Sequence, residues 1–226
     1  LGYGGAETGC YDLAHFLFEQ NCKSFIVTSG GELLKFIDKK KVKVFKLPVQ
    51  SKNPILILFN AIIISFIILI CNINIVHVRS RAPAWSCFIA TKITFRKIVS
   101  TFHGTYNFNN RIKKFYNSIM VRSDLVIAGS NFIFFHINDN YRNFFLENKR
   151  KLLVIFRGIN TDYFNPQKNL PRKLDKFSKQ NNIDRNKFII LLPGRLTYWK
   201  GQKIFIEAIK LLYEKTDIMP FEAIVL

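Results

Sequence analysis

Phe188-Ile-Ile-Leu-Leu-Pro-Gly-Arg-Leu-Thr-Tyr-Trp-Lys-Gly-Gln202 reads as a short apolar run, a turn with a glycine near each end, and the start of a helix-length segment that continues to Glu214. An unbroken Ile/Leu run without polar alternation is what a strand looks like when helices cover both faces of a parallel sheet. The same cycle repeats upstream. Strands are expected at Ser24 to Thr28, Val42 to Leu47, Ile75 to Val78, Lys97 to Thr101, Asp124 to Ala128 and Leu152 to Phe156, and another opens at Glu222 to Leu226. Glu7 to Gln20 carries apolar residues at helical period, and helix-length segments lie between most of the strands. The class is α/β, a doubly wound parallel sheet. In such sheets ligands sit beyond the carboxyl ends of the strands, so the residues just after each strand are the ones to watch.

Around Asn165-Pro166 the cycle breaks. Gln167 to Lys187 is polar, rich in Lys and Asn, and carries Pro171, as an interdomain linker with one short helix would. The organisation expected is a first domain over 1–165, a linker over 166–187 and the start of a second domain over 188–226. The chain opens in a glycine-rich turn without an initial Met and stops inside a strand, so it reads as a fragment whose first strand lies upstream.

The formal net charge of +19 attracts polyanions. The cations are scattered and interleaved with Asn, Ile and Phe, with no recognition-helix pattern or zinc finger, which argues against nucleic acid and leaves an anionic membrane as a partner. Cys10, Cys22, Cys71 and Cys87 stand at irregular spacings that form neither a metal site nor a disulfide framework, and read as free thiols in a reducing cytosol. Ile55 to Cys71 is apolar apart from Asn60 and Ser65 and reaches only the lower limit of a membrane span, about 17 residues. Because it runs straight into a strand, it reads as a buried or membrane-touching helix.

Few residues suit chemistry. Gly4-Gly5 ahead of a helix lets backbone N–H groups approach an anion. His103-Gly104 follows a strand and fits a ligand contact and a structural histidine equally. Arg195 and Lys200 flank the turn quoted above, where a guanidinium fork and a point-charge ammonium suit a diphosphate. Arg79 and Arg81, with Pro83 and Trp85, follow another strand end. They are candidates for an acceptor or an anionic headgroup, and equally for surface charges at the top of a helix.

Taken together, Gly-Gly-Ala-Glu at the opening, His77-Val-Arg-Ser-Arg-Ala-Pro-Ala-Trp85, Phe102-His-Gly-Thr105, Arg157-Gly-Ile-Asn-Thr-Asp-Tyr-Phe-Asn-Pro166 and Pro193-Gly-Arg-Leu-Thr-Tyr-Trp-Lys-Gly-Gln202 resemble the retaining GT-B glycosyltransferases of family four, in that family's order. The resemblance implies two Rossmann-like domains, here the N-terminal one lacking its first strand plus the start of the second. It further implies a nucleotide-sugar donor held mainly by the C-terminal domain, an acceptor held mainly by the N-terminal domain, and no cofactor or metal. On that reading Arg195, Lys200, Gly4 and Gly5 bind the donor diphosphate. His103 faces the transferred sugar as the catalytic-side residue, and Arg79 and Arg81 lie on the acceptor side. The expected activity is transfer, with retention, to an envelope glycolipid or polysaccharide such as lipopolysaccharide, by a cytoplasmic protein peripheral to the inner face of the cell membrane. Asn160 departs from the family's usual Asp, and the family's glutamate pair and base pocket are expected beyond residue 226. The alternative is a catalytically inactive remnant that binds an anionic membrane or a partner.

Overall fold

The computed structural model describes residues 1–106, 110–148, 151–165, 167–168, 170–215 and 220–225. Pro166 in the linker and Leu226 in the last expected strand lie outside them. The chain divides into two compact units, Leu1–Gly158 and Ile159–Leu226.

The first unit runs α1 (Gly5–Glu19), β1 (Ser24–Thr28), β2 (Val42–Lys46), α2 (Pro54–Ile70), β3 (Ile75–Val78), α3 (Arg81–Ile93), β4 (Lys97–Phe102), α4 (Arg111–Asn117), β5 (Leu125–Ala128), α5 (Asn131–Asn148, kinked at Tyr141) and β6 (Lys151–Val154). All pairings are parallel. β1 pairs with β2, while β3, β4, β5 and β6 form a four-stranded sheet in that order. The single sheet expected from the sequence is therefore met in two parts, with no ladder between β1 and β3 among the described residues.

The core follows from the apolar strands and the helices laid on them. Ile64 and Ile68 of α2, Ala84, Cys87 and Ala90 of α3, and Val78, Ile98, Phe102 and Val126 of the sheet form one buried cluster. Burial of this apolar area is the main favourable contribution to folding. Ala14, Ile26, Ile37 and Val42 form a smaller one under α1. Asp124 anchors the start of β4 at both ends of a backbone pair: its N–H donates to Ile98 O and its carboxylate accepts from Ile98 N, each at 2.9 Å.

The α2 helix shows how local sequence sets an element. The side chain of Asn53 accepts from Ile55 N at 2.9 Å, and Pro54 takes the first helical position, where no N–H is needed. At the other end Asn72 adopts φ 50° and Ile73 N donates to Ile68 O at 2.9 Å, the hydrogen bond of a left-handed helix stop. Both polar side chains of α2 point into the protein. Asn60 Nδ2 donates to Pro48 O at 3.1 Å and Ser65 Oγ to Ala61 O at 2.8 Å. No helix among the described residues is long and apolar enough to cross a membrane.

The second unit holds α6 (Leu170–Gln180), β7 (Phe188–Leu192), α7 (Gln202–Tyr213) and β8 (Phe221–Val225). Its two strands pair in parallel, Phe188 opposite Phe221. The Tyr213 and Phe221 rings lie 4.6 Å apart and close α7 onto the sheet.

Candidate functional site

In the first unit the carboxyl ends of the strands and the N-terminus of α1 gather four side-chain and backbone groups. Arg79 follows β3 by one residue, His103 follows β4 by one, and Arg157 lies just beyond β6. Gly4 is the N-cap of α1. Arg157 Nη2 donates to Gly5 O, and a Cβ at Gly5 would stand 2.8 Å from Arg157 Nη1.

Gly9, one turn further along α1, brings the two arginines together. A Cβ there would meet Arg79 Nη2 at 2.7 Å and Arg157 Nη2 at 2.9 Å, so only a residue without a side chain lets both cations settle on the helix. Burial first, and then the neighbouring Arg157 charge, lower the pKa of Arg79. A guanidinium stays charged despite this, so two like charges are held close with their repulsion only partly relieved by Glu7 and Asp12. An incoming anion relieves it further.

His103 completes the group. Both its ring nitrogens are buried, and neither has a hydrogen-bond partner among the described residues. Its pKa is pushed down to about 4 by burial, then by the charges of Arg79, Arg157 and His77. The imidazole is neutral near pH 7, one nitrogen a donor and the other an acceptor, which suits the hydroxyl groups of a sugar and not a second anion. His77 differs. Its Nε2 lies 2.7 Å from Thr101 Oγ1, and its pKa is also lowered to about 4, by burial and then Arg79.

The second unit presents the other candidate pair. Gly201 adopts φ 77° and serves as N-cap of α7, so the turn needs glycine there. Gln202 Nε2 donates to Arg195 O at 2.9 Å and pins the turn. The side chain of Lys200 passes Gly194 with carbons 3.9 Å from where a Cβ would be. Neither the Arg195 guanidinium nor the Lys200 ammonium has an ion pair among the described residues, and both residues are exposed. A shallow depression lined by Leu196, Thr197, Tyr198, Gln202 and Lys203 lies on the same turn.

The profile of Glycosyltransferase Family 4 matches residues 3–163. The chain belongs to this family. Its fold is the α/β, parallel-sheet fold of GT-B glycosyltransferases. The crystal structure of a glycosyltransferase from Rickettsia africae ESF-5 is 40% identical, with a TM-score of 0.80, over 100% of this chain and 58% of that one. Anabaena Alr3699/HepE, crystallised in complex with UDP-glucose, shares 19% identity and a TM-score of 0.72 over 99% of this chain and 57% of its own. This chain thus spans little more than half the length of either structure. No curated protein matches it.

Set against the family resemblance, Gly4, Gly5, Arg79 and His103 come together in one place. Arg81 does not join them. Its Nη1 donates to Asn117 Oδ1 at 2.8 Å and its guanidinium lies 4.4 Å from the centre of the Tyr106 ring, so it ties α3 to α4 and the loop after β4. Arg157 is the residue that sequence reasoning does not single out. The signal was available, because the strand expected over Leu152 to Phe156 ends immediately before Arg157, although β6 itself stops at Val154. Among the described residues no three His, Cys, Asp or Glu side chains gather into a metal site.

Proposed function

We propose that this chain supplies the acceptor-side domain and the opening of the donor-binding domain of a retaining glycosyltransferase, which moves a sugar from a nucleotide-sugar to an envelope glycolipid or polysaccharide. The observation that carries the reading is the Arg79–Arg157 pair against the N-terminal turn of α1, beside an imidazole whose two nitrogens have no partner among the described residues, at the strand ends of a family 4 domain. A pair of cations next to a helix N-terminus suits phosphate oxygens, and the neutral imidazole a sugar hydroxyl.

In this mechanism Arg195 and Lys200 neutralise the donor diphosphate as the glycosidic bond to it breaks, which is stabilisation of developing charge and needs no metal. His103 orients the transferred sugar, and Gly4 and Gly5 lend N–H groups to the phosphate side. Arg79 and Arg157 hold a phosphate-bearing partner, and Arg81 supports that wall through Tyr106. The protein works at the cytoplasmic face of the cell membrane, where glycolipid acceptors are found. UDP-glucose is the donor to try first, because HepE was crystallised with it. The 226 residues by themselves bind the anion and do not complete transfer.

Titration of the chain with UDP-glucose and with inorganic pyrophosphate, followed by the ring resonances of His103, tests this. Saturable shifts with both ligands, lost in Arg157→Met, are expected. Absence of any shift refutes the site, and transfer of labelled sugar by the 226 residues refutes the proposed inactivity.

A further inference from the structure

The α2 helix is apolar apart from Asn60 and Ser65, both turned inward, and is buried on one side only. Asn60, Ala61, Ile64, Ile67 and Ile68 face the protein, packed largely on α3. Ile55, Leu58, Phe59, Ile62, Phe66, Leu69 and Ile70 face outward, from 47% exposed at Ile62 to 81% at Ile70. At helical periodicity these outward positions fall within about 120° of one another, a stripe roughly 25 Å long without a single polar side chain. A contiguous apolar patch of that size on a protein surface marks an interaction site.

The stripe is extended at both ends. Arg96 Nη2 donates to Asn72 Oδ1 at 3.2 Å, which sets the turn after α3 beside the end of α2. That turn carries Phe95, 93% exposed and held at φ 54°, a left-handed conformation in which a bulky aromatic is strained. At the other end Lys52 Nζ lies 5.9 Å from the centre of the Tyr116 ring of α4, a helix that exposes Ile112 and Phe115 next to Arg111 and Lys113.

Charge decides the occupant. Between Asp38 and Asp124 the sequence holds no acidic residue and fifteen Lys or Arg; of these, Lys52 directly precedes α2, and Arg111 and Lys113 are exposed on α4, the helix that Lys52 reaches. A second copy of a chain carrying +19 would repel it. A protein partner would meet a stripe with no hydrogen-bonding group, whereas recognition surfaces combine an apolar centre with polar partners. We propose that α2 lies in the plane of an anionic lipid bilayer, its outer stripe and Phe95 among the acyl chains and the flanking lysines at the headgroups. This surface is separate from the sugar chemistry, and vesicle binding requires no turnover, so the two readings fail independently.

Flotation of the 226-residue protein with phosphatidylcholine vesicles containing about one-third phosphatidylglycerol tests the proposal, with phosphatidylcholine alone as the comparison. The protein is expected to float with the anionic vesicles only. Phe66→Ser with Ile70→Ser, both at exposed positions and checked for unchanged circular dichroism, should weaken partition by about tenfold or more, and raised salt should do the same. Flotation unaffected by the double substitution would overturn the proposal, since charge alone would then account for binding. Failure to float with either vesicle would overturn it outright, and self-association abolished by the double substitution would assign the stripe to a second copy.

Discussion

The guanidinium ends of Arg79 and Arg157, from the ends of two different strands, converge on Gly9 of α1, with Nη2 atoms 2.7 Å and 2.9 Å from where its Cβ would be. Gly9→Ala isolates that geometry. Alanine favours the helix by about 1 kcal/mol over glycine, while its methyl displaces both cations. The melting temperature of Gly9→Ala is expected to change by no more than a few degrees, while the pyrophosphate concentration at the midpoint of its stabilisation rises about tenfold. Equal pyrophosphate midpoints for the two proteins would mean that the pair does not bind phosphate.

A second expectation concerns pH. His77 and His103 both have pKa values lowered from the ordinary 6.5 to about 4. The unfolded chain therefore binds protons first, and the stability held by the neutral rings is full above pH 6.5 and lost as pH falls toward 4. For the half-buried His77 the loss by pH 4 is at most on the order of 3 kcal/mol, reduced by solvent screening, and the same limit holds for His103. Urea unfolding at a series of pH values should show the slope, and His77→Gln, which can keep a hydrogen bond to Thr101, should flatten it. An identical slope in the variant would rule out His77 as its source.

The third expectation concerns the turn of the second unit. On the proposed role of Lys200, to meet charge that develops as a diphosphate leaves, Lys200→Met in an intact enzyme carrying this chain is expected to lower kcat by about a hundredfold with little change in KM. Arg195→Lys should fall nearly as far, since an ammonium cannot reproduce the guanidinium fork. A rise in KM alone would place both cations in ground-state binding instead.

The fold was legible where local chemistry punctuates the chain. Ser24–Thr28, Ile75–Val78 and Phe188–Leu192 form strands at the residues read from sequence, because turns or polar residues close each apolar run. β6 was read late, at Leu152 to Phe156, since Ile155 and Phe156 are as apolar as the strand but are 51% and 68% exposed and outside its ladder. The site was legible only in its strand-end residues. Arg157 reaches Gly5 across 152 positions, a contact that no local pattern announces. Composition showed α2 to be apolar, yet which arc packs on α3 and which faces outward depends on the neighbouring helix.

Phe95 supplies the sharpest separation between stability and surface function. It follows the end of α3, where Arg96 N donates to Thr91 O at 3.0 Å, in a left-handed position that glycine fills without strain. Its ring is almost fully exposed, so little packing offsets the backbone cost. Phe95→Gly should therefore stabilise the protein by about 1 kcal/mol, read as a rise of a few degrees in Tm. Most aromatic truncations destabilise, so the sign alone is informative. If the ring is retained as a membrane contact, the same substitution must weaken flotation with anionic vesicles even as the fold gains stability. A variant that melts higher and floats as well as the parent would confine the strain at Phe95 to the helix end and remove it from the lipid surface.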